Sequence, residues 1–178
     1  MNLANKLTTF RVLCIPIFVV FMLIESIPYN YCLAAIVFII ASITDLFDGK
    51  IARKYHLVTN FGKFMDPLAD KMLVSAALIC LTPKMIPSWV VIIIISRELF
   101  ISGFRMLAAG QGIVLAAGWW GKFKTAFSMV MIIVLIVNTP LNNSVLYIIG
   151  QVLIWISLAL TIISMIEYVS KNFNVLKN

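Results

Sequence analysis

The sequence predicts an all-α integral membrane protein of six transmembrane helices with a short interfacial helix at its N-terminus and a polar cavity facing the cytoplasm. Three observations predict it. Of its 178 residues 62% are apolar and 12% charged, against about 45–50% and about 25% in soluble domains. The charges are arranged so that long charge-free intervals separate them. The positive charges fall almost entirely on one side of the resulting helices.

A helix needs about 20 apolar residues to cross a hydrocarbon core of roughly 30 Å. Residues 2–8 are mostly polar with Leu3 and Leu7 four apart, the pattern of a short helix lying in the interface. The first span follows at 10–25; Lys6 and Arg11 precede it as in a signal peptide, but no small-residue cleavage site comes after it. Further spans are expected at 30–48, 64–82 and 86–107, built on charge-free runs at 26–44, 72–83 and 85–96. The run 125–166 is too long for one span, and Asn138-Thr139-Pro140-Leu141-Asn142-Asn143-Ser144 divides it with turn-forming residues into spans at 121–137 and 145–167.

Lysine and arginine near span ends are held on the cytoplasmic side. With the N-terminus inside, Lys6, Arg11, Lys50, Arg53, Lys54, Lys63, Lys71, Arg97, Arg105, Lys122, Lys124, Lys171 and Lys177 lie on or near the cytoplasmic half, and Lys84 alone lies outside. Six spans return the C-terminus to the cytoplasm. The chain thus reads as one multi-pass domain of the cell membrane over 1–178, its +7 charge a topology belt, with membrane lipids rather than nucleic acid as its surroundings. Cys14, Cys32 and Cys80 are odd in number and sit in apolar spans, so neither a disulfide nor a metal role is expected.

Four of the seven acidic residues are aspartates between 45 and 70. Each would cost about 2.5–3.5 kcal/mol at the centre of a lipid-facing helix, so they must face something polar. Asp45 and Asp48 are three apart at the end of the second span, and Asp66 and Asp70 four apart at the start of the third. Each pair therefore shares a helix face. A cytoplasmic hairpin can bring both pairs into one cavity, where four carboxylates would retain their protons unless cations bind. An all-oxygen set favours a hard ion, Mg²⁺ or Mn²⁺, and four carboxylates suit two ions, an arrangement that stabilises in-line attack at phosphorus. Salt bridges to Lys50, Arg53, Lys63 and Lys71 are the alternative. Gly49, Ala52 and Gly62 lie inside the cluster and let a ligand or helix approach the backbone closely.

The run Asp45-x-x-Asp48-Gly49-x-x-Ala52-Arg53, eight residues, then Gly62-x-x-x-Asp66-x-x-x-Asp70 resembles the signature of the CDP-alcohol phosphotransferase family at every fixed position. Asn5-Lys6-Leu7-Thr8 with the following Arg11 resembles the family's N-terminal segment. The stretches Ser96-Arg97-Glu98, Gly103-Phe104-Arg105-Met106-Leu107-Ala108-Ala109 and Trp119-Trp120-Gly121-Lys122-Phe123-Lys124-Thr125 are similar to the bacterial members whose acceptor is sn-glycerol 3-phosphate. The resemblance implies six transmembrane helices around a cavity open to the cytoplasm, a homodimer, and transfer of a phosphatidyl group from CDP-diacylglycerol to sn-glycerol 3-phosphate with release of CMP. It implies Asp70 as general base and places Asn5, Thr8, Gly49, Arg53 and Thr59 around the CDP moiety, beside the small Ala52 and Gly62.

Arg53 stands out on chemistry too, since a guanidinium beside the small-residue face suits bidentate phosphate contact; its other reading is a snorkelling topology marker. For the acceptor phosphate the basic residues around the fourth-to-fifth connection, Arg105, Lys122 and Lys124 with Arg97, are selected, each of which could instead be a further topology marker. Arg97 and adjacent Glu98 could also pair. His56 reads as a surface residue, and Trp119 and Trp120 as interfacial aromatics. Other acceptors, namely inositol phosphate, serine or phosphatidylglycerol, stay open within the family. A divalent-cation transporter would need polar groups on both faces, and the external half has almost none.

Overall fold

A computed structural model describes residues 3–54, 60–110 and 118–172, with side chains at all of these except 3–4, 46–54, 60–64, 67 and 109. Among the described residues every regular element is helical: α1 (Leu3–Leu23), α2 (Asn30–Lys54), α3 (Asn60–Cys80), α4 (Ser88–Gly110), α5 (Trp119–Leu141) and α6 (Ser144–Asn172). The chain forms two compact units, one of Met1–Leu81 with Leu135–Asn142 and the other of Thr82–Val134 with Asn143–Asn178.

In the first unit α1 packs against α2 and α3. The buried positions of α1 are Asn5, Thr8, Arg11, Cys14, Ile15, Phe18 and Met22, which recur at helical spacing and form one stripe. Its apolar half meets α2 through the Phe18 and Phe38 rings, whose centroids are 5.8 Å apart. Small residues dominate the buried face elsewhere, with Ala34, Ala35 and Ala41 on α2 and Ala69 and Ala77 on α3, which lets helix backbones approach closely. The stripe explains one departure from expectation. A short interfacial helix separate from the first span is not present, because α1 runs unbroken from Leu3. No glycine or proline interrupts residues 3–15, and Asn5, Thr8 and Arg11 of that stretch are buried while Lys6 stays exposed.

In the second unit α4 packs against α6, with Trp89 and Trp155 at one end, 6.0 Å between centroids, and Phe104 set edge-on to Tyr168 at the other, 5.6 Å apart. The turn between α5 and α6 is tighter than the seven-residue breaker string implied. α5 continues through Pro140 to Leu141, and the Asn142 amide donates to the Asn138 carbonyl at 2.9 Å with Asn142 in the left-handed region at φ 45°. Asparagine tolerates that conformation and so closes the helix. Asn143 then caps α6, its Oδ1 accepting from the amides of Val145 at 2.9 Å and Leu146 at 3.2 Å. Proline at the last helical turn removes one intrahelical bond without ending the helix.

Three of these helices are long and apolar enough to cross a membrane: Asn5–Leu23, Trp119–Leu141 and Ser144–Asn172; on α2 the apolar stretch is shorter, Asn30–Asp45. The remaining helices carry their charges inboard. Asp45, Asp48, Lys50, Arg53 and Lys54 occupy the end of α2, Lys63, Asp66, Asp70 and Lys71 the first half of α3, and Arg97 with Glu98 the middle of α4.

Candidate functional site

The first unit gathers polar groups at one end. Because α1 runs antiparallel to α2 and α2 to α3 in a chain of hairpins, the N-terminal turns of α1, the C-terminal part of α2 and the first turns of α3 contribute the groups. Arg11, fully buried, places Nη1 2.8 Å from Asp45 Oδ1, whose side chain is 28% exposed. One turn earlier on α1 the buried Thr8 hydroxyl donates to Asp66 Oδ1. Asn5 is buried one turn earlier still, and its backbone carbonyl accepts from the Thr9 hydroxyl at 2.9 Å. Asp45 lies within electrostatic reach of both Arg11 and Asp66. One helix thus presents a cation and a hydroxyl to one carboxylate on each of two others. Asp70 stands a turn beyond Asp66 on α3 and is half-buried.

Buried carboxylates of like charge repel in low dielectric, and a single guanidinium offsets only one of them. The donor set is all oxygen, which suits a hard divalent cation. Asp45 and Asp66 could each give an oxygen to such an ion. Among the described residues no three histidine, cysteine or acidic side chains are gathered closely enough to hold one; the side chain of Asp48 lies outside the described residues.

The second unit holds the basic residues. Glu98 Oε1 accepts from Arg97 Nη1 at 2.7 Å and from Lys124 Nζ at 2.8 Å, and Lys124 is 2% exposed. Arg105 stacks over the Tyr168 ring, 5.6 Å from guanidinium carbon to centroid. Lys122 is exposed, its Nζ 4.9 Å over the Trp119 ring. Glu167, itself paired to Lys171 at 2.7 Å, reaches so close to Gly118 that a Cβ there would lie 2.9 Å from its Oε2. A side chain at 118 would therefore have to displace the flexible Glu167 carboxylate.

The sequence pattern of the CDP-alcohol phosphatidyltransferases matches residues 1–163, which takes in both units. The chain belongs to that family. It is similar to the CDP-diacylglycerol–glycerol-3-phosphate 3-phosphatidyltransferase of Bacillus subtilis, 45% identical over 99% of this chain and 97% of that protein. It is 40% identical to the protein of that name from Haemophilus influenzae, over 94% of this chain and 91% of the other. With its Rickettsia bellii counterpart it shares 38% identity over 94% of this chain and 93% of that one.

Against the family pattern, the structure brings together Asn5, Thr8, Asp45 and Asp66, with Asp70 on the next turn. Asp48, Gly49, Ala52 and Arg53 lie on α2 and Gly62 on α3, but their side-chain surroundings fall outside the described residues, as do Thr59 and His56 altogether. Arg97 and Lys124 come together through Glu98, whereas Arg105 and Lys122 engage aromatic rings instead. Two residues have a larger part than the sequence reading assigned. From sequence Arg11 reads as a topology marker and part of the N-terminal resemblance, yet it lies three positions after Thr8 on the same stripe and pairs with Asp45, and that spacing is the available signal. Glu98 reads from sequence only as a partner of Arg97, and its bond to Lys124 spans 26 residues, which no local pattern discloses.

Proposed function

We infer that this family member transfers the phosphatidyl group of CDP-diacylglycerol to sn-glycerol 3-phosphate, giving phosphatidylglycerophosphate and CMP. The observation that carries the reading is 45% identity over 99% of the chain to a protein named for that reaction. The acceptor hydroxyl attacks the phosphorus that bears the diacylglycerol, the new P–O bond forms as the bond to CMP breaks, and Asp70 accepts the hydroxyl proton. A carboxylate is an intrinsically weak base, so this role requires Asp70 within hydrogen-bond reach of the hydroxyl.

Asp45, Asp48, Asp66 and Asp70 are the residues that would hold Mg²⁺ or Mn²⁺, two ions on the charge of the set. A divalent ion held there would supply positive charge to offset that of the diphosphate and the leaving CMP. Arg11 and Thr8 orient Asp45 and Asp66. Asn5, Thr8, Gly49, Ala52, Arg53, Thr59 and Gly62 surround the CDP group, and Arg53 contacts its phosphates. Arg97, Arg105, Lys122 and Lys124 serve the acceptor phosphate.

We read residues 1–178 as one domain of the cell membrane with six spans around a cytoplasmic cavity, both termini inside, and two copies per assembly. The six long helices and the one-sided distribution of lysine and arginine support the topology. The test is CMP release by purified protein in mixed micelles. Release should require both sn-glycerol 3-phosphate and Mg²⁺ or Mn²⁺, and should fail with serine, inositol phosphate or phosphatidylglycerol. Turnover unchanged by chelation would overturn the metal assignment, and equal turnover with another acceptor would overturn the substrate.

A further inference from the structure

Ring contacts join α4 and α6 at two levels, Trp89 with Trp155 and Phe104 with Tyr168, their centroids 6.0 and 5.6 Å apart. Between those levels lies a cavity of about 400 Å³, walled by Ile92, Ile93 and Phe100 of α4 and by Ile162, Met165 and Ile166 of α6. Ile92, Phe100, Ile162 and Ile166 are exposed, so the cavity is open along its side. It extends past Phe100 toward the C-terminal end of α4, because among the described residues nothing lies within 4 Å of where a Cβ would stand on Gly103.

The wall selects an apolar occupant. Ser96, Arg97 and Thr161 also touch the cavity, yet its lining is almost wholly apolar. The Thr161 hydroxyl donates to the Ser157 carbonyl at 2.6 Å, and Arg97 Nη1 donates to Glu98 at 2.7 Å. A bound water needs several polar partners, and an apolar cavity without them takes apolar ligands instead.

Depth and length narrow the choice. α6 has 29 residues and is about 44 Å long, the thickness of a bilayer with its headgroups. Ile166 and Thr161 lie six and eleven residues before its last residue, Asn172, or about 9 and 17 Å along the axis. The cavity therefore sits within the hydrocarbon of one leaflet. Along α4 it runs from Ile92 to Phe100, about 12 Å, most of the roughly 15 Å that one leaflet of acyl chains spans. A helix of another copy, about 10–12 Å across, is too broad for a gap bounded at both ends by ring contacts. An acyl chain is slender enough.

We propose that this cavity holds one acyl chain of a resident membrane phospholipid, drawn from the leaflet at the C-terminal end of α6, as a lipid distinct from the substrate. The residues read as donor contacts all belong to the first unit, and the cavity belongs to the second. The chain completes the packing between α4 and α6 that their own side chains leave open. This rests on the reading of α6 as a membrane span.

The experiment adds dioleoyl phosphatidylethanolamine to delipidated full-length protein and counts lipid retained per chain by native mass spectrometry. One lipid should stay bound under conditions that strip the others. Ile93→Trp fills the cavity from α4 and Ile166→Trp fills it from α6. In each, affinity for the retained lipid should fall about tenfold, since burial of the chain is what holds it. Ile148→Trp, at an exposed position of α6 outside the cavity, should leave retention unchanged. Added lipid should raise the unfolding temperature of wild type and not that of the filled variants. Undiminished retention in a folded filled variant, or an equal loss in Ile148→Trp, would overturn the proposal. It would also be overturned if wild type retains no lipid and filling the cavity splits an assembly, which seats a second copy there. Displacement of the retained lipid by CDP-diacylglycerol, with a raised KM for that donor in the filled variants, would assign the cavity to the substrate and overturn it as well. Protein that stays in solution without detergent would instead overturn the membrane reading itself.

Discussion

The two polar clusters are mirror images in charge. At the carboxylate end of the first unit one enclosed arginine, Arg11, stands among aspartates; in the second unit one enclosed glutamate, Glu98, stands among an arginine and a lysine. In each the minority charge is embedded and pairs with members of the majority. An excess of carboxylate invites a cation, and an excess of guanidinium and ammonium invites an anion. The difference suggests a division of labour: the minority charge makes burial of the cluster tolerable, and on the proposed function the majority groups are the ones that would bind. A buried ion pair is weak support for net stability, but loss of one partner is costly because the other is left unpaired.

The largest effect should come from the majority side. Asp70→Asn keeps the volume and removes the proton acceptor, so turnover should fall by roughly 10²–10⁴-fold, the usual contribution of general-base catalysis. Helical content and thermal unfolding should stay close to wild type, read by circular dichroism and by the size-exclusion profile after heating. A variant that unfolds as readily as it loses activity would break the division, since Asp70 would then be holding the fold.

The minority side should behave in the opposite way. Arg11→Met leaves Asp45 enclosed beside Asp66 without its counter-charge, and stability should drop by about 3–5 kcal/mol. Arg11→Lys keeps the charge but loses the planar fork, and should recover part of that loss. Thermal unfolding followed by tryptophan fluorescence measures both. Equal stability of wild type and Arg11→Met would show that the pair with Asp45 contributes nothing to the fold.

Much of this arrangement could be read from position alone because charges are scarce in an apolar chain. From α2 onward the helices begin and end within about six residues of the spans expected from the charge-free runs. They differ where a local pattern meets a competing tertiary demand. The polar residues 2–8 resemble a surface helix, but Asn5, Thr8 and Arg11 share the helical stripe of Phe18 and are drawn inward with it. Pro140 reads as a breaker, but at the last turn of a helix its missing amide removes only one bond. The pairing of the aspartates follows from three- and four-residue spacing and a hairpin. The bridge from Glu98 to Lys124 joins helices separated by a long connection, so it depends on packing that neither periodicity nor charge balance discloses.

Two lysines on the first turns of α5 give the finest test of the comparison. Lys124 is enclosed and committed to Glu98, whereas Lys122, two positions earlier and on another face, is exposed and rests over Trp119. An exposed cation–π contact is worth about 0.5–1 kcal/mol, so Lys122→Ala should barely move the unfolding temperature. As a surplus cation it should still matter for the acceptor. The expected rise in KM for glycerol 3-phosphate is about two- to fivefold, smaller at high ionic strength because salt screens an exposed charge. Lys124→Met should do the reverse, lowering stability at every salt concentration because its charge is shielded from solvent. Measured side by side across a salt series, the two lysines separate charge that binds from charge that supports; a salt-independent KM effect at Lys122 would place it with the supporting set.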